Sequence, residues 1–235
     1  MAEIIKLGTQ YLDGFQLDTG LPYEEGILTI QDTVPGKELQ WMKVGDLLVA
    51  DRCLCCAISW NDLNEMGYIF GRAITIDGKE YICRSLSGGT RNGPDEWDKI
   101  LDEVGDDDDL LHWKQKYFWC QEMASSEKKR VVRGYRNARY RHYGWANTQD
   151  MRVGFRPVLE PIVAIPPDLM PLVGKKVRVA VPNWANIEGV LLEFDSYDLV
   201  LQTKCLIPPA ICGCVRKAGE KAIISKEYII RLKAI

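Results

Sequence analysis

The feature that most constrains this chain is the stretch PVLEPIVAIPPDLMP, which sets Pro157, Pro161, Pro166, Pro167 and Pro171 within fifteen residues. Each proline fixes φ and removes a backbone donor, so no helix runs through the segment and a stiff, extended connection is expected. Dividing the 235 residues near Pro166 leaves 1–165 and 166–235, one medium and one small domain. With 46% hydrophobic and 27% charged residues, both have apolar mass for a core. From residue 168 onward ten Lys/Arg face seven Asp/Glu, against twenty and twenty-six before it. A net charge of −3 therefore exerts no general pull on nucleic acid.

The opening MAEIIKLGTQYLDGF has no basic segment followed by an apolar run, and no stretch approaches the roughly 20 apolar residues that span a bilayer. A cytoplasmic or virion-associated protein with no membrane partner is expected. The eight cysteines, several inside apolar runs such as ADRCLCCAISW, read as free, buried thiols.

Within 1–165, FGRAITID-GK-EYICRSL places two β-branched runs around Asp77-Gly78, a dipeptide suited to a type I′ hairpin turn. In PDEWDKILDEVG, Trp97, Ile100, Leu101 and Val104 recur at helical spacing, closed by Gly105. Ser59 opens a capping box ahead of a shorter helix that stops near Gly67, and DDDDLLHW begins a further helical turn. This mixture predicts the α+β class.

Enzymatic chemistry finds no motif. His112 and His142 are the chain's two histidines and form no H-x-x-x-H pair, and no nucleophile elbow, phosphate loop or dinucleotide fingerprint occurs. Cys120 reads as a packed thiol, since nothing in sequence supplies a base. Cys53, Cys55, Cys56, Cys212 and Cys214 give C-x-C groupings instead of zinc knuckles, and Asp106 to Asp109 lack the alternation of a calcium loop. The expectation is a non-enzymatic protein with no metal and no cofactor.

The informative stretch is VVRGYRNARYRHYGWANTQDMRVGFRPVLEP, which mixes rings, asparagines and arginines with no clear period. Its composition fits either a binding surface, where rings supply area and Asn and Arg adaptable hydrogen bonds, or an Arg-laced loop tied down within the domain. Arg133-Gly134, Arg139 and Gly154-Phe155-Arg156, with ISWNDL, FGRAITIDGKEY and FWCQE upstream, resemble the formylglycine-generating-enzyme type of C-type lectin fold over residues 45 to 160. That fold also carries the variable proteins of diversity-generating retroelements, often from phages. The resemblance implies a ligand face at Tyr135, Asn137, Tyr140, His142, Tyr143, Trp145 and Asn147, open to a protein or glycan. The cysteine pair of the enzyme branch is not recognisable, and Trp60-Asn61-Asp62, similar to a lectin calcium triplet, reads as a helix cap.

Beyond Pro166, Val177, Val179 and Val181 alternate on one strand, further strands follow at Gly189 and YDLVLQT, and EKAIISKEYIIRLKAI supplies two more. Five short strands favour a small closed barrel. The line G-K-x-V-x-V…E-G-x-L-x-x-F-D-x-Y-D-L-V-L is similar to the Sm/Hfq family. It implies a five-stranded Sm-like (SH3-like) β-barrel, homo-oligomerisation, and an RNA-binding loop at Asp195, Tyr197, Asp198 and Lys226. The expected function is target recognition by a domain displayed in several copies, the alternative an RNA-binding regulator acting through the barrel.

Overall fold

The computed structural model describes residues 3–90, 95–124, 126–162, 165–181, 184–204 and 214–235. The chain separates into two compact units, Met1–Glu160 and Pro161–Ile235. The division falls five residues before the expected one, at the end of the strand Pro157–Pro161, which is held in the first unit by pairing Val158 with Val49 and Leu159 with Leu48. Its prolines sit at the first and last positions, where a missing N–H does least harm to a sheet.

The expectation of an α+β chain with a C-type-lectin-like domain is overturned. Among the described residues there are twenty-one strands and three α-helices, and the helices have six, nine and four residues. Both units are built on sheets. Counting helices from clear caps and periods overweighted them, because strands as short as Cys55–Cys56 and Leu21–Pro22 carry no readable period.

The first unit contains two six-stranded sheets and a three-stranded one. One large sheet centres on Leu47–Ala50 and Pro157–Pro161 and ends at the hairpin Arg72–Ile76/Lys79–Ser85, turned at Asp77 and Gly78, both with positive φ. The other runs Arg141–Trp145, Lys129–Gly134, Tyr117–Met123, Val153–Phe155, Cys55–Cys56, Leu21–Pro22, so Arg141–Trp145 is an edge. Two apolar clusters fill the unit. One gathers Trp41, Tyr68, Trp119 and Phe155; the other gathers Trp97, Phe118, Val131 and Leu101 from the amphipathic helix Glu96–Val104. Every buried indole in these clusters donates to a carbonyl: Trp41 to Leu7, Trp60 to Cys120, Trp97 to Ala138 and Trp119 to Ile58. Such bonds remove the cost of burying a donor.

The second unit is a six-stranded antiparallel sheet ordered Val215–Ala218, Lys221–Ser225, Asp198–Gln202, Trp184–Phe194, Lys176–Val181, Arg231–Ala234. Val177, Val179, Val181, Ile187, Leu191, Leu199, Leu201 and Ile224 form its core. The expectation of five strands in a closed barrel is corrected on both counts. Val215–Ala218 is an added strand, and among the described residues no ladder joins it to Arg231–Ala234 to close the sheet. No helix among the described residues is long and apolar enough to cross a membrane.

Five cysteines, Cys53, Cys55, Cys56, Cys83 and Cys120, are free and buried, whereas Cys214 is disulfide-bonded, a departure from all-free thiols. Cys53 and Cys55 do not share a face, since each packs in a different cluster. Cys212 lies outside the described residues, and among the described ones no group of three His, Cys, Asp or Glu is placed to hold a metal. Burial pushes the thiols of Cys53, Cys55 and Cys120 up, so they stay protonated at neutral pH. The acidic run instead caps the helix Asp108–Leu111, where Asp107 accepts from Asp109 N–H at 3.0 Å and Asp108 from Lys114 N–H at 2.7 Å.

Candidate recognition surface

The surface is built on the hairpin Lys129–Gly134/Arg141–Trp145, whose register pairs Arg133 with Arg141, Val132 with His142, Val131 with Tyr143 and Lys129 with Trp145. Successive residues on a strand face opposite ways. His142 and Gly144 therefore share one face and Tyr143 takes the other. A Cβ on Gly144 would lie 2.8 Å from the Trp119 ring, so this position has room for glycine alone. Tyr143, half-buried, packs against the second apolar cluster.

Buried charge fixes the hairpin. Arg133, 1% exposed, donates to Asp95 at 2.8 Å, to Gly88 C=O at 2.9 Å and to Asp98, while Arg141 reaches Asp95 at 2.6 Å. Arg156 of the Gly-Phe-Arg sequence is also buried, against the contacting rings of Trp97 and Phe118, and donates to the Asp51, Leu111 and His112 carbonyls. These arginines hold the scaffold and present nothing outward.

At the turn, Gly134 and Tyr135 both have positive φ, +92° and +81°. Gly134 is required because a Cβ there would stand 2.6 Å from Lys116 C=O. Tyr135 has no such licence, and a bulky residue held in this region costs on the order of 1–3 kcal/mol. Its backbone is pinned by Tyr135 N–H to Trp113 C=O at 2.9 Å and Gln115 N–H to Tyr135 C=O at 3.0 Å. Its ring stacks on Tyr117 with centroids 4.6 Å apart. Tyr140 and His142 lie 6.3 and 6.1 Å from Tyr117 and 6.1 Å from each other, and the Arg136 guanidinium stands 5.1 Å from the Tyr140 centroid. Burial, then the neighbouring Tyr140, raises the Tyr117 phenol, so this ring stays uncharged at neutral pH. Asn137 is exposed at the tip, its carbonyl accepting from Tyr140 N–H.

Trp145 and Asn147 are placed elsewhere. With Asn61, Glu127, Lys128, Arg130 and Ala146 they line an open depression of about 660 Å³ at the other end of the edge strand. The seven residues expected to form one ligand face are thus divided: Tyr135, Tyr140 and His142 in a ring cluster, Asn137 at its tip, Trp145 and Asn147 in the depression, and Tyr143 turned toward the core. Sequence reading missed Tyr117, the hub of the cluster. The alternation of KYFWCQEM, with Phe118 and Cys120 facing one side, places Tyr117 and Trp119 on the other.

In the second unit, Asp195, Tyr197, Asp198 and Lys226 do converge. The Asp195 carboxylate accepts from Tyr197 and Asp198 N–H, both at 2.7 Å, and these bonds hold it below the usual carboxylate range. Lys226 donates to Asp195 C=O and lies 4.9 Å from the Phe194 ring centroid, and Arg216 pairs with Asp198 at 3.0 Å. Tyr197 is 78% exposed.

No family model, curated protein or solved structure matches this chain. What the fold and surface define is a two-unit, mainly β protein whose irregular unit carries a half-exposed cluster of aromatic rings.

Proposed function

We propose that this chain is a non-enzymatic recognition protein that binds a protein or glycan target through the Tyr117/Tyr135/Tyr140/His142 cluster. The observation that carries the reading is Tyr135: a strained backbone at a surface turn holds a ring stacked on Tyr117 beside two more rings. Strain persists where the surroundings enforce it, and binding surfaces are a common place for it. Rings already fixed lose little entropy on binding. The second unit serves assembly, a role supported by its resemblance to Sm/Hfq proteins, and several copies on one particle supply avidity. The RNA reading draws less support, because Lys226 and Arg216 are already engaged and the carboxylates of Asp195 and Asp198 repel phosphate.

The test is binding of the labelled 235-residue chain to a panel of intact bacterial cells, read by flow cytometry, with light scattering for the number of copies. Saturable binding that falls at least tenfold in the Tyr140→Ala/His142→Ala double variant is expected. Equal binding by both proteins, or a steeply salt-dependent affinity for a single-stranded RNA with none for any cell, overturns the reading.

A further inference from the structure

We propose that the depression around Trp145 is a second binding site, for a saccharide carrying an anionic group. This proposal extends the recognition reading, although the two can fail separately.

The floor of the depression is fixed by backbone bonds: Asn61 N–H to Ala146 C=O at 3.1 Å, Ala146 N–H to Lys128 C=O at 2.9 Å and Thr148 N–H to Trp145 C=O at 2.9 Å. Arg130 is pinned as well, its guanidinium 4.2 Å from the Trp60 centroid and donating to Glu127 C=O at 2.6 Å. On this rigid frame the outward groups are unspent. The side chains of Asn61, Asn147, Lys128 and Glu127 and the Trp145 indole N–H have no hydrogen-bond or ion-pair partner among the described residues. Elsewhere in the unit, the buried tryptophans, Arg133 and Arg156 each donate to carbonyls or carboxylates, although Arg133 Nε and Arg156 Nε and Nη1 are left without a partner among the described residues.

The chemistry selects the ligand. Trp145 is 51% exposed, with the Lys129 ammonium 4.9 Å from its ring centroid. The only other apolar lining residue is Ala146. A peptide's apolar side chain needs apolar walls on several sides, whereas the apolar surface here comes from Trp145 and Ala146 beside five polar or charged residues. A pyranose offers a C–H face to lie on an indole and a rim of hydroxyls for amides such as Asn61 and Asn147, each of which both donates and accepts. The volume lies in the range, roughly 300–1,000 Å³, of pockets that hold small ligands. Lys128 and Arg130 outnumber Glu127, so an anionic substituent is favoured over a neutral sugar.

The experiment is saturation-transfer NMR on the full chain with sialyllactose, trigalacturonate, a sulfated lactose and neutral lactose. Transfer to ring C–H protons of at least one anionic saccharide, exceeding that to lactose, is expected. Trp145→Ala abolishes it, and Lys128→Glu weakens it at least fivefold. Carboxylated and sulfated ligands distinguish which anion is preferred. Both substitutions are at exposed positions, and unchanged thermal melting establishes that the variants fold. Asn147→Ala gives an independent loss if Trp145→Ala alters the edge strand. No transfer to any anionic saccharide at millimolar concentration, transfer unchanged by Trp145→Ala, lactose binding as well as the anionic ligands, or transfer to a hexaglutamate peptide and to no saccharide each overturns the proposal. Because Tyr140→Ala/His142→Ala leaves this site intact, its saccharide signal is expected to persist, separating failure here from failure of the ring cluster.

Discussion

The two units solve the same problem, burying one face of antiparallel strands, by different means. The second unit relies on aliphatic alternation: Val177, Val179 and Val181 point inward while Lys176 and Arg178 meet Glu188 at the surface. The first unit buries arginines and indoles with assigned partners in two clusters and leaves irregular loops on top. A hydrophobic core tolerates many sequences, but a buried charge demands particular partners. The difference teaches that the first unit gains loops fixed in one geometry, at the cost of dependence on a few polar contacts.

The sharpest way to break this comparison is Arg133→Met. It leaves Asp95, deeply buried, with Arg141 as its remaining guanidinium partner, and a loss of about 3–5 kcal/mol is expected from breaking a buried charge network. The counterpart in the second unit, Arg178→Met, removes an exposed pair to Glu188 worth at most about 1 kcal/mol. Hydrogen exchange on the full chain separates the effects by segment. Arg133→Met should speed exchange across residues 84–145 and spare 176–181 and 198–202, and similar small effects from both variants would show that the charge network is not what holds the first unit. Next comes Leu201→Ala, fully buried in the single core of the second unit, with about 2–5 kcal/mol expected. Its increased exchange should be confined to residues 176–234.

How much of each unit was legible follows from the same contrast. Val177, Val179 and Val181 announce their strand by period, the Asp77-Gly78 turn by its dipeptide, and the helices by Ser59 and Gly105. Those signals are local. The ring cluster is not, because Tyr117 meets Tyr135 through a parallel bridge and the pairing of three strands. His142 and Tyr143 look equivalent by composition, yet strand parity puts them on opposite faces of the sheet, His142 exposed beside the Tyr117 ring and Tyr143 packed against the second cluster. Asn61 was readable as part of a capped helix, but its place beside Trp145 depends on a contact to Ala146 across 85 positions of chain.

Acid offers a subtler probe. Burial alone would raise Glu96, but Arg84 beside it and the Ser87 N–H overcome that and hold its carboxyl below the ordinary glutamate value of 4.5. A carboxylate depressed in the folded state contributes stability that is complete above the unfolded value and is lost as pH falls through the folded one. The first unit should therefore loosen below about pH 4.5. In the second unit the depressed carboxylates, Glu188 and Asp195, lie at the surface, where solvent screening makes their contribution small. Exchange measured at pH 3.5 and 7 should rise around Arg84 and Glu96 well before it rises at Leu199 or Ile224. Simultaneous opening of both units would remove the electrostatic half of the contrast.

The smallest expected effect on stability is the most informative about function. Tyr135→Gly relieves a positive φ, a gain of about 1–3 kcal/mol, less about 0.4–1 kcal/mol for the freedom glycine adds to the unfolded chain, and forfeits the stacking on Tyr117, a loss of about 0.5–1.5 kcal/mol. These nearly cancel, so the melting temperature should barely move. Target binding is expected to fall at least tenfold, because the ring is removed and the turn gains freedom that binding must then restrict. Tyr135→Asn tolerates the same backbone without the ring, and is expected to match the glycine variant in binding loss. A variant that melts far below the wild type would make Tyr135 a structural stacking partner of Tyr117, placing the turn with Arg133 and Arg156 as scaffold. One that melts alike and binds alike would leave the strain without a role in recognition and direct attention to Trp145 at the other end of the strand.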